Sequence, residues 1–168
     1  MHDLVIRNGL VADGSGAPAR RADVAVDGAA IAAVGTVAAR GRREIDADGL
    51  LVTPGFVDIH THYDGQATWD SRLQPSSWHG VTTVIMGNCG VGFAPVKVED
   101  RQRLIELMEG VKNIPNTALD ENLNWSWESF NQYLDALDAR PRDMDLSAQL
   151  PHGALRVFVI SKHATRLE

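Results

Sequence analysis

A single cysteine, Cys89, leaves no partner for an intramolecular disulfide in these 168 residues and fits a reducing compartment. Basic clusters are missing as well. Sixteen Lys and Arg stand against 22 Asp and Glu, for a formal charge of −6, which argues against nucleic acid as a partner. No apolar run approaches the ~20 residues of a membrane span, and the start "MHDLVIRNG" lacks the charged-then-apolar pattern of a secretory signal. A cytoplasmic protein without membrane partners is therefore expected. Internal repeats and low-complexity tracts are absent too, and the 44% hydrophobic composition is that of an ordinary globular chain.

What is present falls into two parts. Residues 1–53 read as short strands punctuated by tight turns: "DLVIRNG" stops at Asn8-Gly9, "ADVAVDGAAIAAVG" turns at Asp27-Gly28, and "EIDADGLLV" repeats the device at Asp48-Gly49. This pattern predicts a small antiparallel β module. From residue 54 the character changes. "GLLVTPGFV" reads as a strand with a Pro-Gly break, and "GVTTVIMGNCG" carries the continuous β-branched pattern of a strand buried on both faces in a parallel sheet. "EDRQRLIELMEGVKN" places Leu104, Leu107, Met108 and Val111 on one helical face. "WESFNQYLDALDARP" does the same with Phe130, Tyr133, Leu134 and Leu137. "MDLSAQLPHG" predicts a third strand broken by Pro151, and "ALRVFVISKHATRLE" offers no closing element. Strands alternating with helices predict β/α units on a parallel sheet. A (β/α)8 barrel takes roughly 250 residues, so about three strands imply the front part of a longer protein, with an open apolar edge prone to association.

The chemistry gathers at two strand ends. In "DIHTHYDG", alternation puts His60 and His62 on one face and Thr61 on the other, so the two imidazoles are placed to share one metal ion; the plainer reading is two polar strand-end residues satisfied by backbone or water. Asp58, two residues earlier on that face, either orients a ligand histidine or is a simple hydrogen-bond acceptor. The same alternation puts Asp64 on the ligand side. Cys89 in "MGNCGVG" follows the second parallel strand, where it is either a small buried hydrophobe or a thiolate ligand delivered to the same rim. The tryptophans Trp125 and Trp127 read as anchors for the helix after them rather than as a ligand platform.

Together "TPGFVDIHTHYDGQATWD" and "HGVTTVIMGNCGVGFAPV" resemble the metal-dependent amidohydrolase superfamily, and within it the N-acyl-D-amino-acid deacylases. The P-G-F-x-D-x-H-x-H segment is shared across the superfamily, and G-N-C-G narrows the likeness to that subgroup. With "LIELMEGVKNIP" and "QLPHGALRVFV" it extends over most of residues 1–160. The resemblance implies an α/β fold in which residues 1–53 are the N-terminal part of a composite β-sandwich. Residues 54–168 would be the first part of an incomplete (β/α)8, TIM-like amidohydrolase barrel. It implies zinc held by His60, His62 and Cys89, and hydrolysis of an N-acyl-D-amino acid to a D-amino acid and a carboxylate. A general base is expected beyond Glu168, so these residues alone are expected to be inactive. His152 matches a family histidine near the rim and either contacts substrate or satisfies a loop, whereas His163 is expected to have no catalytic part. The competing expectations are a cyclic-amide hydrolase of the hydantoinase or dihydroorotase type and a non-catalytic metal-binding remnant.

Overall fold

The computed structural model describes residues 1–109, Leu119 and residues 121–160. It divides into two compact units, Met1–Pro54 and Gly55–Glu168. Among the described residues no helix is long and apolar enough to cross a membrane.

The first unit is one five-stranded sheet of β1 (His2–Val11), β2 (Arg20–Asp27), β3 (Ala30–Gly35), β4 (Gly41–Asp46) and β5 (Leu51–Val52). Strands β1–β2 and β2–β3 pair antiparallel, the second pair across the turn at Asp27-Gly28, where Gly28 has φ 58°. The expectation of a purely antiparallel module is corrected by β4 and β5, which both run parallel to β1 along the same edge. Register partners Ile6↔Ile45 and Leu10↔Leu51 show why: Asp48-Gly49 bends one strand course instead of closing a hairpin. The bend is a turn closed by Leu50 N–H donating to the Ala47 carbonyl at 2.9 Å. Nor does β1 stop at Asn8-Gly9. A bulge between Ile6 and Gly9, with Asn8 at φ 62°, absorbs the turn-forming pair and the strand continues.

Val5, Ala25 and Val37 form the small apolar cluster of this unit, Val11, Val24 and Ala47 are also buried, and a polar strap ties the strands further. Arg7 on β1 donates to the Val37 carbonyl, to Ala39 O at 2.8 Å and to Glu44 Oε1 at 2.9 Å, and pairs with Asp23 Oδ2 at 3.2 Å. Asp23 in turn accepts the backbone N–H groups of Asn8 (2.9 Å) and Val37 (3.2 Å). The Asn8 N–H, then those of Val37 and the Arg7 guanidinium, hold the Asp23 carboxyl below its ordinary value against the opposing effect of burial. Its stabilisation is therefore present above the ordinary carboxylate pKa of about 3.9 and is lost as pH falls through the lower folded value. Asp23→Ala is expected to destabilise this unit by about 1–3 kcal/mol near neutrality, because three donors lose their acceptor. Urea unfolding followed at several pH values should show the difference from the unsubstituted protein shrinking below about pH 4. A pH-independent difference would contradict the assignment.

The second unit holds three parallel strands, β6 (Phe56–Thr61), β7 (Val81–Met86) and β8 (Asp145–Ala148), in the order β6-β7-β8. The run "GLLVTPGFV" is thus split: Leu51–Val52 belongs to the first sheet, and a new strand starts after Pro54-Gly55. Two single-turn 3₁₀ helices (Gln66–Thr68 and Ser76–His79) connect β6 to β7. The β7–β8 connection contains α1 (Arg101–Glu109) and α2 (Phe130–Asp138), and α3 (His152–Ile160) follows β8. On α1 the buried face is Leu104, Ile105 and Met108, while the expected Leu107 is exposed and Val111 lies outside the described residues. Helix α2 buries Tyr133 and Leu137 and leaves Leu134 at 38% exposure. A reciprocal cap sets its start: Ser129 Oγ accepts Gln132 N–H at 3.2 Å, and Gln132 Oε1 accepts Ser129 N–H at 2.9 Å. Residues 152–160, expected to form no closing element, are helical. Ala154 and Val157, three apart, bury one face, and burial outweighs the modest helix preference of the β-branched run.

The core of this unit joins Val84 and Met86 of β7 to Leu104, Ile105, Tyr133, Leu137, Ala154 and Val157 of the helices, around Phe93 and Trp127. At the sheet's β6 edge, Phe56, Val57 and Ile59 remain more than half exposed.

Candidate metal centre

Strand β6 ends at Thr61, whose side chain is buried and donates from Oγ1 to the Ile85 carbonyl of β7 at 2.9 Å. That bond turns Thr61 inward and leaves its neighbours, His60 and His62, on the other side, with ring centroids 5.4 Å apart and planes tilted by 37°. Cys89 arrives from the end of β7. Between them Gly87 and Gly90 frame a turn closed by Gly90 N–H donating to the Gly87 carbonyl at 3.0 Å. Gly87 is required there. Its φ is +84°, and a Cβ would stand 2.3 Å from the Gln149 carbonyl oxygen, because β8 passes alongside and Gln149 N–H donates to Met86 O at 2.9 Å. Asn88 Nδ2 donates to the Ile59 carbonyl at 3.3 Å and so ties this turn back to β6.

The three donors meet. Cys89 Sγ lies 3.4 Å from His62 Nδ1, and one donor atom each from His60, His62 and Cys89 falls within 4.8 Å of the others. Zinc bonds of about 2.0–2.1 Å to nitrogen and about 2.3 Å to sulfur set tetrahedral donor separations of roughly 3.3–3.8 Å. The His62–Cys89 pair already has that spacing, and small side-chain rotations bring in the exposed His60. A thiol with two imidazoles is also the donor set that suits zinc. The residues present therefore fit the ion.

The other candidates stand in a second ring or apart. Asp58 Oδ1 accepts the backbone N–H of His60 at 3.2 Å and so helps to fix the strand end. Asp64 is 3% exposed and sits past the strand in the turn leading to the first 3₁₀ helix; its carbonyl accepts the Tyr133 hydroxyl at 2.5 Å. His152 is the exposed first residue of α3. It lies beside the cysteine turn, where Gly153 N–H donates to Gly90 O at 2.6 Å. His163 lies outside the described residues. A groove of about 740 Å³ between α2 and β8, lined by Leu134, Asp138, Arg142 and Met144 among others, contains none of the three donors. Cavity shape and donor chemistry thus point to different places, and the donor chemistry carries the site. Tyr133 and Asn88 were not singled out from the sequence. For Asn88 the signal was its place beside Cys89 in the turn, and for Tyr133 it was burial on a capped helix.

The chain belongs to the amidohydrolase family, which it matches over residues 43–167. It is 38% identical over 159 residues to the D-aminoacylase of Alcaligenes xylosoxydans xylosoxydans, covering 94% of this chain and 31% of that protein. Its fold is similar to the crystal structure of a D-aminoacylase, which defines a subset of amidohydrolases, with a TM-score of 0.79 and 36% identity over 96% of this chain and 32% of that one. It is also similar to N-acyl-D-glutamate deacylase from Bordetella bronchiseptica, solved with zinc and a phosphonate inhibitor that mimics the tetrahedral intermediate; the TM-score is 0.70 at 31% identity over 96% of this chain and 32% of that one. The chain thus spans about a third of the length of these relatives.

Proposed function

We propose that the complete protein is a zinc-dependent amidohydrolase that releases a free D-amino acid and a carboxylate from an N-acyl-D-amino acid. The observation that carries this reading is the convergence of His60, His62 and Cys89 from two neighbouring strand ends. The likeness to D-aminoacylase over nearly the whole chain supports the linear-amide substrate. Residues 1–53 would then be the N-terminal share of a composite β-sandwich, and residues 54–168 the first β/α units of a TIM-like barrel.

In this reading His60, His62 and Cys89 hold the metal. A zinc ion so held supplies Lewis-acid polarisation of the scissile carbonyl and lowers the pKa of water. The chain's own residues do the rest of what is asked of this rim. Asp58 fixes the backbone at His60, Thr61 locks β6 to β7, and the Asn88 amide holds the cysteine turn against β6. His152, exposed at the start of α3 beside that turn, would in this reading meet a substrate group entering from the rim. The proton taken from water and handed to the leaving amine needs a carboxylate base, which we place outside residues 1–168.

The test uses the complete, zinc-loaded protein with N-acetyl-D-amino acids, their L-enantiomers and a hydantoin. Hydrolysis of the D-compounds that a chelator abolishes and zinc restores is the expected result. Faster turnover of the hydantoin would replace this reading with the cyclic-amide one. Metal binding with no turnover of any amide would leave a binding protein.

A further inference from the structure

Beyond its ligands, this centre needs the two strand ends held at a fixed separation, since a donor displaced by a fraction of an ångström loses its bond. Besides Thr61, which ties β6 directly to β7, a second buried hydroxyl approaches both from the helix side. Tyr133 on α2 is 3% exposed, its O–H donates to the Asp64 carbonyl at 2.5 Å, and the same oxygen lies 3.9 Å from Met86 Sδ. Asp64 is two residues past His62, and Met86 three residues before Cys89. The neighbouring Trp127, edge-on to the Tyr133 ring at 5.0 Å, donates from Nε1 to the Phe93 carbonyl at 2.8 Å, four residues past Cys89. The Ser129–Gln132 cap fixes where α2 begins, and so the height at which Tyr133 enters.

We propose that Tyr133 is a positioning residue for the metal centre: its hydroxyl, bonded to the Asp64 carbonyl and packed against Met86 Sδ, fixes the segment after His62 against the end of β7 that leads to Cys89, and so helps to set the distance between their donor atoms. The inference rests on the reading of His60, His62 and Cys89 as ligands. Burial first, and then the Asp64 carboxylate, push the Tyr133 hydroxyl well above its ordinary pKa, so it keeps its proton and remains a donor. A purely packing role would need only the ring. Removal of the oxygen alone separates the two.

The experiment titrates the metal-free complete protein with cobalt(II) against a chelator and follows the thiolate-to-cobalt absorption band, which Cys89→Ser must abolish. Tyr133→Phe keeps the ring and is expected to raise the cobalt dissociation constant about tenfold and to shift that band. Leu137→Ala opens a cavity on the same helix without touching the hydroxyl. It is expected to lower the melting temperature while the folded protein keeps its cobalt affinity and spectrum. If the unsubstituted protein shows no thiolate band, the metal reading fails and this inference with it. If the band is present and Tyr133→Phe binds cobalt with unchanged affinity and spectrum, the positioning role alone is overturned. An equal loss of affinity in Leu137→Ala would likewise overturn it, because general loosening of the helix would then account for the effect.

Discussion

Replacing Cys89 with alanine is expected to weaken zinc binding by two to three orders of magnitude while leaving the fold intact. Structural zinc sites bind with about 10–16 kcal/mol shared among four ligands, so one ligand accounts for roughly 2.5–4 kcal/mol, and each 1.4 kcal/mol is about tenfold. The alternative account of a lone cysteine, a small apolar filler, predicts the reverse: some loss of stability and no change in metal affinity. The geometry favours the ligand. Cys89 is only half-buried, it is held in a turn by Gly87 and Gly90, and its sulfur points to His62 Nδ1 at 3.4 Å rather than into the core formed by Val84 and Met86. Equilibrium dialysis with zinc, alongside thermal unfolding, distinguishes the two. Unchanged affinity with a lowered melting temperature would return Cys89 to the core. His62→Ala should match the cysteine variant, because its nitrogen already stands at ligand spacing from the sulfur.

The convergence of His60, His62 and Cys89 was legible in the sequence because it depends on local rules. Alternation on β6 puts His60 and His62 on one face, and a parallel strand that ends in a glycine-rich turn delivers Cys89 to the same rim. The β6-β7-β8 order, by contrast, depends on contacts between residues far apart. So does the parallel placement of β4 and β5 on β1, where Asp48-Gly49 carries the composition of a hairpin but works as a bend. No periodicity distinguishes the two, because the deciding partner is β1, some forty residues earlier. The helix at residues 152–160 was hidden for a related reason. Its Val and Ile content favours a strand, and only the burial of Ala154 and Val157 decides for the helix. The Ser129–Gln132 cap is readable in the sequence, since S-x-x-Q before an apolar run marks a helix start. Tyr133 was placed on the correct helical face, but no pattern in one sequence shows that its hydroxyl would land between two strand ends.

Trp127→Ala is expected to unfold the second unit or bring it close to unfolding. The side chain is 2% exposed, packs edge-on to Tyr133 and against Trp125 at 5.8 Å, and donates to the Phe93 carbonyl. Truncating a buried tryptophan costs about 3–5 kcal/mol, and a buried carbonyl left without its donor adds about 1–3 kcal/mol, against a total of roughly 5–15 kcal/mol for a typical domain. Trp127→Phe isolates part of this effect: it keeps most of the apolar area and loses the N–H, so a smaller shift in the denaturation midpoint is expected. The order of effects therefore matters more than either value. Alanine should be much worse than phenylalanine, and both should be worse than any change at Trp78, which is 70% exposed. Urea unfolding monitored by circular dichroism supplies the three midpoints. A Trp127→Ala protein as stable as a Trp78→Ala one would mean that the indole is not the keystone between α2 and the segment past Cys89, and the support inferred for the metal rim would lose its foundation.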